Sequence, residues 1–226
     1  MTSDEAATPT RRAKRRGPSV ITILGLALLL AGLSVLGWVG YQYFGTNVVA
    51  EKTFDEQKTG LRQQWEEPEP DKADKPEAIP GEALALLRIP RFGADYEVPL
   101  IRGTDLSVLN KGVGVYDVAA APGEVGNFSI AGHRVTHGEP FKRLLELQKG
   151  DKIIVETRTE IFTYVLDTAP ADLTVDEHDT WVLDPVPGKS DQKPSKELIT
   201  LTTCQDLFHS PDRSVAFGHL ENTETK

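Results

Sequence analysis

The chain is poor in sulfur, with one cysteine, Cys204, and one methionine, Met1, among 226 residues. A single thiol excludes an intrachain disulfide framework and any zinc site built on paired cysteines. No His-Glu-x-x-His or Cys-x-x-Cys spacing occurs, so the expectation is an enzyme or binding module with no metal and no cofactor. Positive charge is also in short supply, 25 Lys and Arg against 34 Asp and Glu, for a net charge of −9. That balance disfavours nucleic acid as a partner.

Long hydrophobic stretches are missing but for one. Residues 18–41 carry no charge, from Pro18 through Val20-Ile21-Thr22-Ile23-Leu24 to Trp38-Val39-Gly40-Tyr41. About 20 apolar residues suffice for a helix to cross a bilayer core. Arg11, Arg12, Lys14, Arg15 and Arg16 precede the run, which predicts a cytoplasmic N-terminus, and Trp38, Tyr41, Tyr43 and Phe44 suit an interfacial aromatic belt. A secretory signal has a shorter apolar region and a small-residue cleavage site. This run is longer and ends in aromatics, so a retained single-pass anchor in the cell membrane is expected, with everything after it extracellular.

The reading divides the chain into a basic cytoplasmic tail (1–17), a transmembrane helix (18–44), an extracellular stalk or linker (45–80) and a catalytic domain (81–226). Within the stalk, Val48 to Trp65 suits a short helix, with Phe54, Leu61 and Trp65 its large apolar side chains after Val49. Glu66-Glu67-Pro68-Glu69-Pro70-Asp71 has the charge and proline of an extended spacer. Short strand-like runs follow at 84–89, 97–101, 112–116, 127–131, 152–157, 161–168, 198–203 and 214–220. Helical stretches fit 106–110 and 141–147. The count predicts a mainly β fold, a closed barrel or sandwich with short helices in its connections. Residues 169–196 show no strand signal, and 184–194 read as a mobile loop or as plain surface disorder.

Cys204 ends the β-branched run Leu198-Ile199-Thr200-Leu201-Thr202-Thr203, and Arg213 opens the next strand-like run. His133 lies upstream in Ile130-Ala131-Gly132-His133-Arg134. A lone exported cysteine with a distant His and Arg outlines a nucleophile, its proton partner and an oxyanion stabiliser. The opposing reading is a β-barrel binding or scaffold module whose cysteine is merely buried. His137 is no metal partner for His133, because Gly138 and Pro140 break a helix there. Arg134 alternates away from His133 and reads as structural.

Thr200-Leu201-Thr202-Thr203-Cys204 followed by Arg213 resembles the signature of sortases, and Ala131-Gly132-His133-Arg134 resembles their histidine motif. Ile89-Pro90-Arg91-Phe92-Gly93, Pro122-Gly123-Glu124-Val125-Gly126-Asn127-Phe128 and Trp181-Val182-Leu183-Asp184-Pro185 look like class E. The resemblance covers about residues 81–220. It implies an eight-stranded β-barrel transpeptidase acting on the Thr–Gly bond of a C-terminal sorting signal, LAxTG or LPxTG. Cys204 would attack, His133 would move the proton, and Arg213 would hold the oxyanion. Thr203 and Tyr116 would contact substrate. Tyr116 stands in Gly114-Val115-Tyr116-Asp117, where class E enzymes often have Gly-His-Tyr-Pro; a plain core tyrosine is the other reading. The acceptor would be the amine of a peptidoglycan precursor, lipid II-like, or a pilin lysine. An L,D-transpeptidase keeps His and Cys closer in sequence than the separation here.

Overall fold

The computed structural model describes residues 19–67, 82–204 and 211–226, and of Cys204 it describes the backbone. The basic tail, residues 68–81 of the proline-rich spacer, and residues 205–210, which include His209, lie outside the described residues. Two compact units result, one ending at Gly40 and one from Tyr41 to Lys226. The first contains α1 (Val20–Gly40), which buries no residue and presents Leu24, Leu28 and Leu36 outward. At about 1.5 Å per residue its 21 residues match a bilayer core of about 30 Å.

The second unit opens with a π-helical turn, Tyr41–Gly45, that runs into α2 (Thr46–Glu66). Strands β1 (Ala83–Arg88), β2 (Glu97–Arg102), β3 (Val113–Val115), β4 (Gly126–Ala131), β5 (Lys152–Glu156) and β6 (Glu160–Leu166) follow. They are completed by β7 (Thr174–Asp176), β8 (Glu197–Cys204) and β9 (Asp212–Thr225), with a one-turn helix α3 (Leu106–Leu109) between β2 and β3. The order β6-β5-β1-β2-β3-β4-β8-β9 closes on itself because β6 also pairs with β9. This is the expected eight-stranded barrel. Closure leaves no edge among those eight strands, which removes the hazard an open sheet carries.

Alternation along the strands sets the core. Phe128 and Ile130 of β4 and Ile199 and Leu201 of β8 point inward to meet Leu87, Leu100, Val155, Phe162 and Tyr164. The opposite faces of the same two strands carry Asn127, Ser129, Thr200 and Thr202, and these are buried as well. Over Asn127 and Thr200 lies the connection 169–196, in which the sequence shows no strand signal. It contributes β7, which pairs with β9, and a 3-10 turn, Thr180–Leu183. Asn127 Nδ2 donates to the carbonyls of Val182 and Asp184 at 3.1 and 3.0 Å, and Thr200 Oγ1 donates to Asn127 Oδ1 at 2.7 Å. A small second core of Val175, Val182 and Val215 seals the layer.

The expected stalk also differs in part. Helix α2 lies against the barrel instead of standing clear of it. Ala50, Phe54 and Leu61 form one buried stripe, and Ala50 and Phe54 join the main core. Arg62 pairs with Glu97 at 2.8 Å, Gln57 Oε1 accepts the amide of Ala83 at 3.1 Å, and the Lys226 ammonium sits 4.1 Å from the centre of the Trp65 ring. The few apolar residues of this segment suffice because they recur on one face.

Candidate active site

Register brings the sequence-predicted residues together. In the antiparallel β8–β9 pair, Cys204 is the direct partner of Arg213. In the parallel β4–β8 pair, Ala131 is the partner of Thr202. The chain leaves β4 at Gly132, whose amide donates to the Thr202 carbonyl at 3.2 Å, and reaches His133 beside the end of β8. Three neighbouring strand ends thus deliver His133, Cys204 and Arg213 to one end of the barrel.

Thr203 helps fix this junction. Its hydroxyl is buried and donates to the Gly132 carbonyl at 2.8 Å, tying the residue before the cysteine to the residue before the histidine. Gly132 itself has no room for a side chain, since a Cβ there would lie 2.7 Å from the Phe141 ring. Tyr116 follows β3 and is half-buried, with its hydroxyl 3.2 Å from Thr202 Oγ1. The Thr202 hydroxyl donates to the Ile130 carbonyl at 3.2 Å, so Tyr116 is the donor in that pair. Both side chains therefore brace β8 within this end of the barrel.

Sequence reasoning missed two groups. Asn110, just past α3, places Oδ1 3.1 Å from His133 Nε2. With the amide oxygen as acceptor, Nε2 carries the hydrogen and Nδ1 the lone pair. Glu177, just past β7, accepts from Arg213 Nη2 at 2.7 Å, while Arg213 Nη1 donates to the Asp212 carbonyl at 3.2 Å. Neither residue had a signal in the sequence, because neither belongs to a motif and each reaches its partner only through tertiary folding. His137 is nearer to His133 than the sequence implied, with ring centroids 5.2 Å apart. Arg134 is partly buried, and its Nε has no hydrogen-bond partner among the described residues.

Burial pushes the His133 imidazole down to about 4, and the neighbouring His137 adds to the shift. Burial lowers His137 as well. A neutral His133 near pH 7 is a proton acceptor. No group of three or more His, Cys, Asp or Glu among the described residues has metal-ligating geometry.

A closed barrel that brings a cysteine, a histidine and an arginine to one end is a fold on which thiol acyl transfer can be built. Comparison with known proteins narrows the class. The sortase domain model matches residues 87–221. Sortase SrtE1 of Streptomyces coelicolor is 34% identical over 223 residues, which cover 92% of this chain and 60% of that protein. The chain thus spans less than two thirds of that relative. The structure of sortase E from Streptomyces avermitilis superposes with a TM-score of 0.58 at 39% identity, over 65% of this chain and 93% of that one. Sortase E1 from Streptomyces coelicolor, solved with a tripeptide in its active site, gives 0.56 at 36% identity, over 66% and 94%. The chain belongs to the sortase family, in its class E.

Proposed function

We propose that the protein is a single-pass membrane sortase that cleaves an LAxTG- or LPxTG-like sorting signal between Thr and Gly. The Cys204 sulfur attacks the Thr carbonyl while His133 Nδ1 takes the thiol proton. Arg213 donates to the oxygen as it becomes an oxyanion. The C–N bond then breaks, the leaving Gly amine takes the proton from His133, and a thioester remains on Cys204. An incoming amine, from a lipid II-like precursor or a pilin lysine, gives a proton to His133 and attacks the thioester. The C–S bond breaks, His133 returns the proton to the Cys204 sulfur, and the surface protein is joined to that amine. Thr203 and Tyr116 border the substrate at the cysteine end of β8. The N-terminal helix anchors the enzyme with its basic tail in the cytoplasm and the barrel outside.

The observation that carries this reading is the direct pairing of Cys204 with Arg213, beside the β4 exit to His133. The test is mass spectrometry of the full chain in detergent with an LAxTG peptide and, separately, an LPxTG peptide. The expected result is an adduct on Cys204 equal to the peptide cut after Thr, absent from Cys204→Ala, and the better peptide identifies the signal. A thiol that alkylates freely but forms no adduct with either peptide points to another substrate. A thiol that resists alkylation contradicts its role as nucleophile.

A further inference from the structure

The loop that follows His133 is built in an unusual backbone conformation. His137, Gly138 and Glu139 have φ of 55°, 81° and 47°, three left-handed residues in succession, two of them with side chains. Such a conformation persists only where the surroundings hold it. Inside the loop, Glu139 donates its amide to the Thr136 carbonyl at 3.2 Å, and Phe141 closes it by donating to the His133 carbonyl at 2.9 Å. Those bonds fix its two ends. The tip amide, Gly138 N–H, is satisfied from elsewhere: it donates to Asn47 Oδ1 at 2.9 Å.

Asn47 is well placed for this. It lies in the first turn of α2, and its Nδ2 donates to the Tyr43 carbonyl at 3.1 Å, which orients the amide so that its oxygen faces the loop. Below that bond, Phe54 and Ala50 press on Gly138 so closely that a Cβ there would lie 2.7 Å from the Phe54 ring and 3.3 Å from Ala50 Cβ. Both helix residues belong to the barrel core. At the loop's other side, the His137 ring lies 5.2 Å from that of His133, and His137 Nδ1 is 2.9 Å from Thr136 Oγ1. Loop position therefore sets where His137 stands beside His133.

We propose that Asn47 is a positioning residue for the reaction: its side-chain oxygen holds the His137–Gly138–Glu139 loop and, through it, the setting of His133. Helix α2 is on this view a part of the active-site scaffold and not a spacer. The inference rests on the role given to His133 above.

The test compares Asn47→Ala with Asn47→Asp in the full chain in detergent, because the carboxylate keeps an acceptor for the Gly138 amide and alanine does not. Turnover is expressed per alkylatable thiol. Asn47→Ala is expected to lower kcat about tenfold with KM within about twofold, and Asn47→Asp to restore kcat to within about threefold. Wild-type kcat in Asn47→Ala, or an Asn47→Asp enzyme as slow as the alanine variant, would overturn the proposal. If Asn47→Ala does not accumulate, Asn47→Gln, which displaces the oxygen by one methylene, is expected to show the same kcat loss. Amide exchange over residues 134–141 needs no substrate. It is expected to quicken in Asn47→Ala while β4 and β8 keep their protection, and unchanged exchange in the loop sinks the coupling. Failure of wild type to cleave any sorting peptide would count against the substrate assignment, and loop exchange alone would then decide this inference.

Discussion

Asn110 Oδ1 lies 3.1 Å from His133 Nε2, so a residue outside every motif holds the ring of the histidine proposed to move the proton. Removing the amide in Asn110→Ala leaves the ring free to turn and to carry its hydrogen on either nitrogen. A hydrogen bond of this kind contributes about 1 kcal/mol, so kcat/KM is expected to fall about fivefold to tenfold. Asn110→Asp would place an anion beside His133 and raise its pKa. Its pH–rate profile is expected to shift to higher pH relative to wild type; identical profiles in wild type and Asn110→Asp would show that the contact does not act on His133.

The depressed His133 also links stability to pH. In the unfolded chain the imidazole takes up a proton near its ordinary value of about 6.5. In the fold, burial and His137 hold it down to about 4. Between those values the unfolded state binds more protons, so the stability contributed by His133 is complete above about 6.5 and is lost as pH falls towards 4. The shift bounds this contribution at roughly 3 kcal/mol. Urea titrations at pH 7 and pH 4.5 are expected to show a smaller fall in His133→Asn than in wild type. Equal falls would mean that His133 titrates normally in the folded protein.

Arg213 holds its guanidinium fork with Nη2 donating to Glu177 at 2.7 Å and Nη1 to the Asp212 carbonyl at 3.2 Å. The ion pair is partly exposed, so its loss is worth no more than about 1 kcal/mol of stability. Catalysis is a different matter. In Arg213→Lys a point charge cannot serve both Glu177 and a developing oxyanion, and kcat is expected to drop about 10²- to 10³-fold with little change in Tm. Near wild-type turnover in Arg213→Lys would remove arginine from the oxyanion role.

The barrel was legible in the sequence because its strands carry short apolar or β-branched runs between turn signals, although β9 runs on through polar residues to Thr225, beyond the expected 214–220. His133, Cys204 and Arg213 stood out as candidates because each lies at the end of a strand-like run, and strand register brings those ends side by side. β7 was not legible: Thr174-Val175-Asp176 has one apolar residue, and its pairing partner, β9, begins only at Asp212. Helix α2 showed its stripe but not its destination, since Phe54 finds its place against Gly138, a contact with no sequence pattern. Asn110 and Glu177 act through single side chains on connections, where periodicity carries no information. Thr203 was legible as a neighbour of the cysteine, yet its bond to the Gly132 carbonyl appears only once β4 and β8 lie side by side.

Asn127 shows how the connection 169–196 is kept against the barrel. Its side chain is buried, donates twice to carbonyls of the Thr180–Leu183 turn and the residue after it, and accepts from Thr200. Asn127→Ala would take away the Asp184 carbonyl's donor and leave Thr200 Oγ1 only the Val182 carbonyl, 3.3 Å away, at a cost of roughly 1–3 kcal/mol. Because Glu177 lies on the same connection and holds Arg213, the damage is expected to spread to the site. Thermal unfolding should show a lowered Tm, and the folded fraction should still show reduced kcat, because the connection is loosened before the barrel opens. Full kcat in the folded fraction of Asn127→Ala would mean that the connection stabilises the barrel without guiding Arg213.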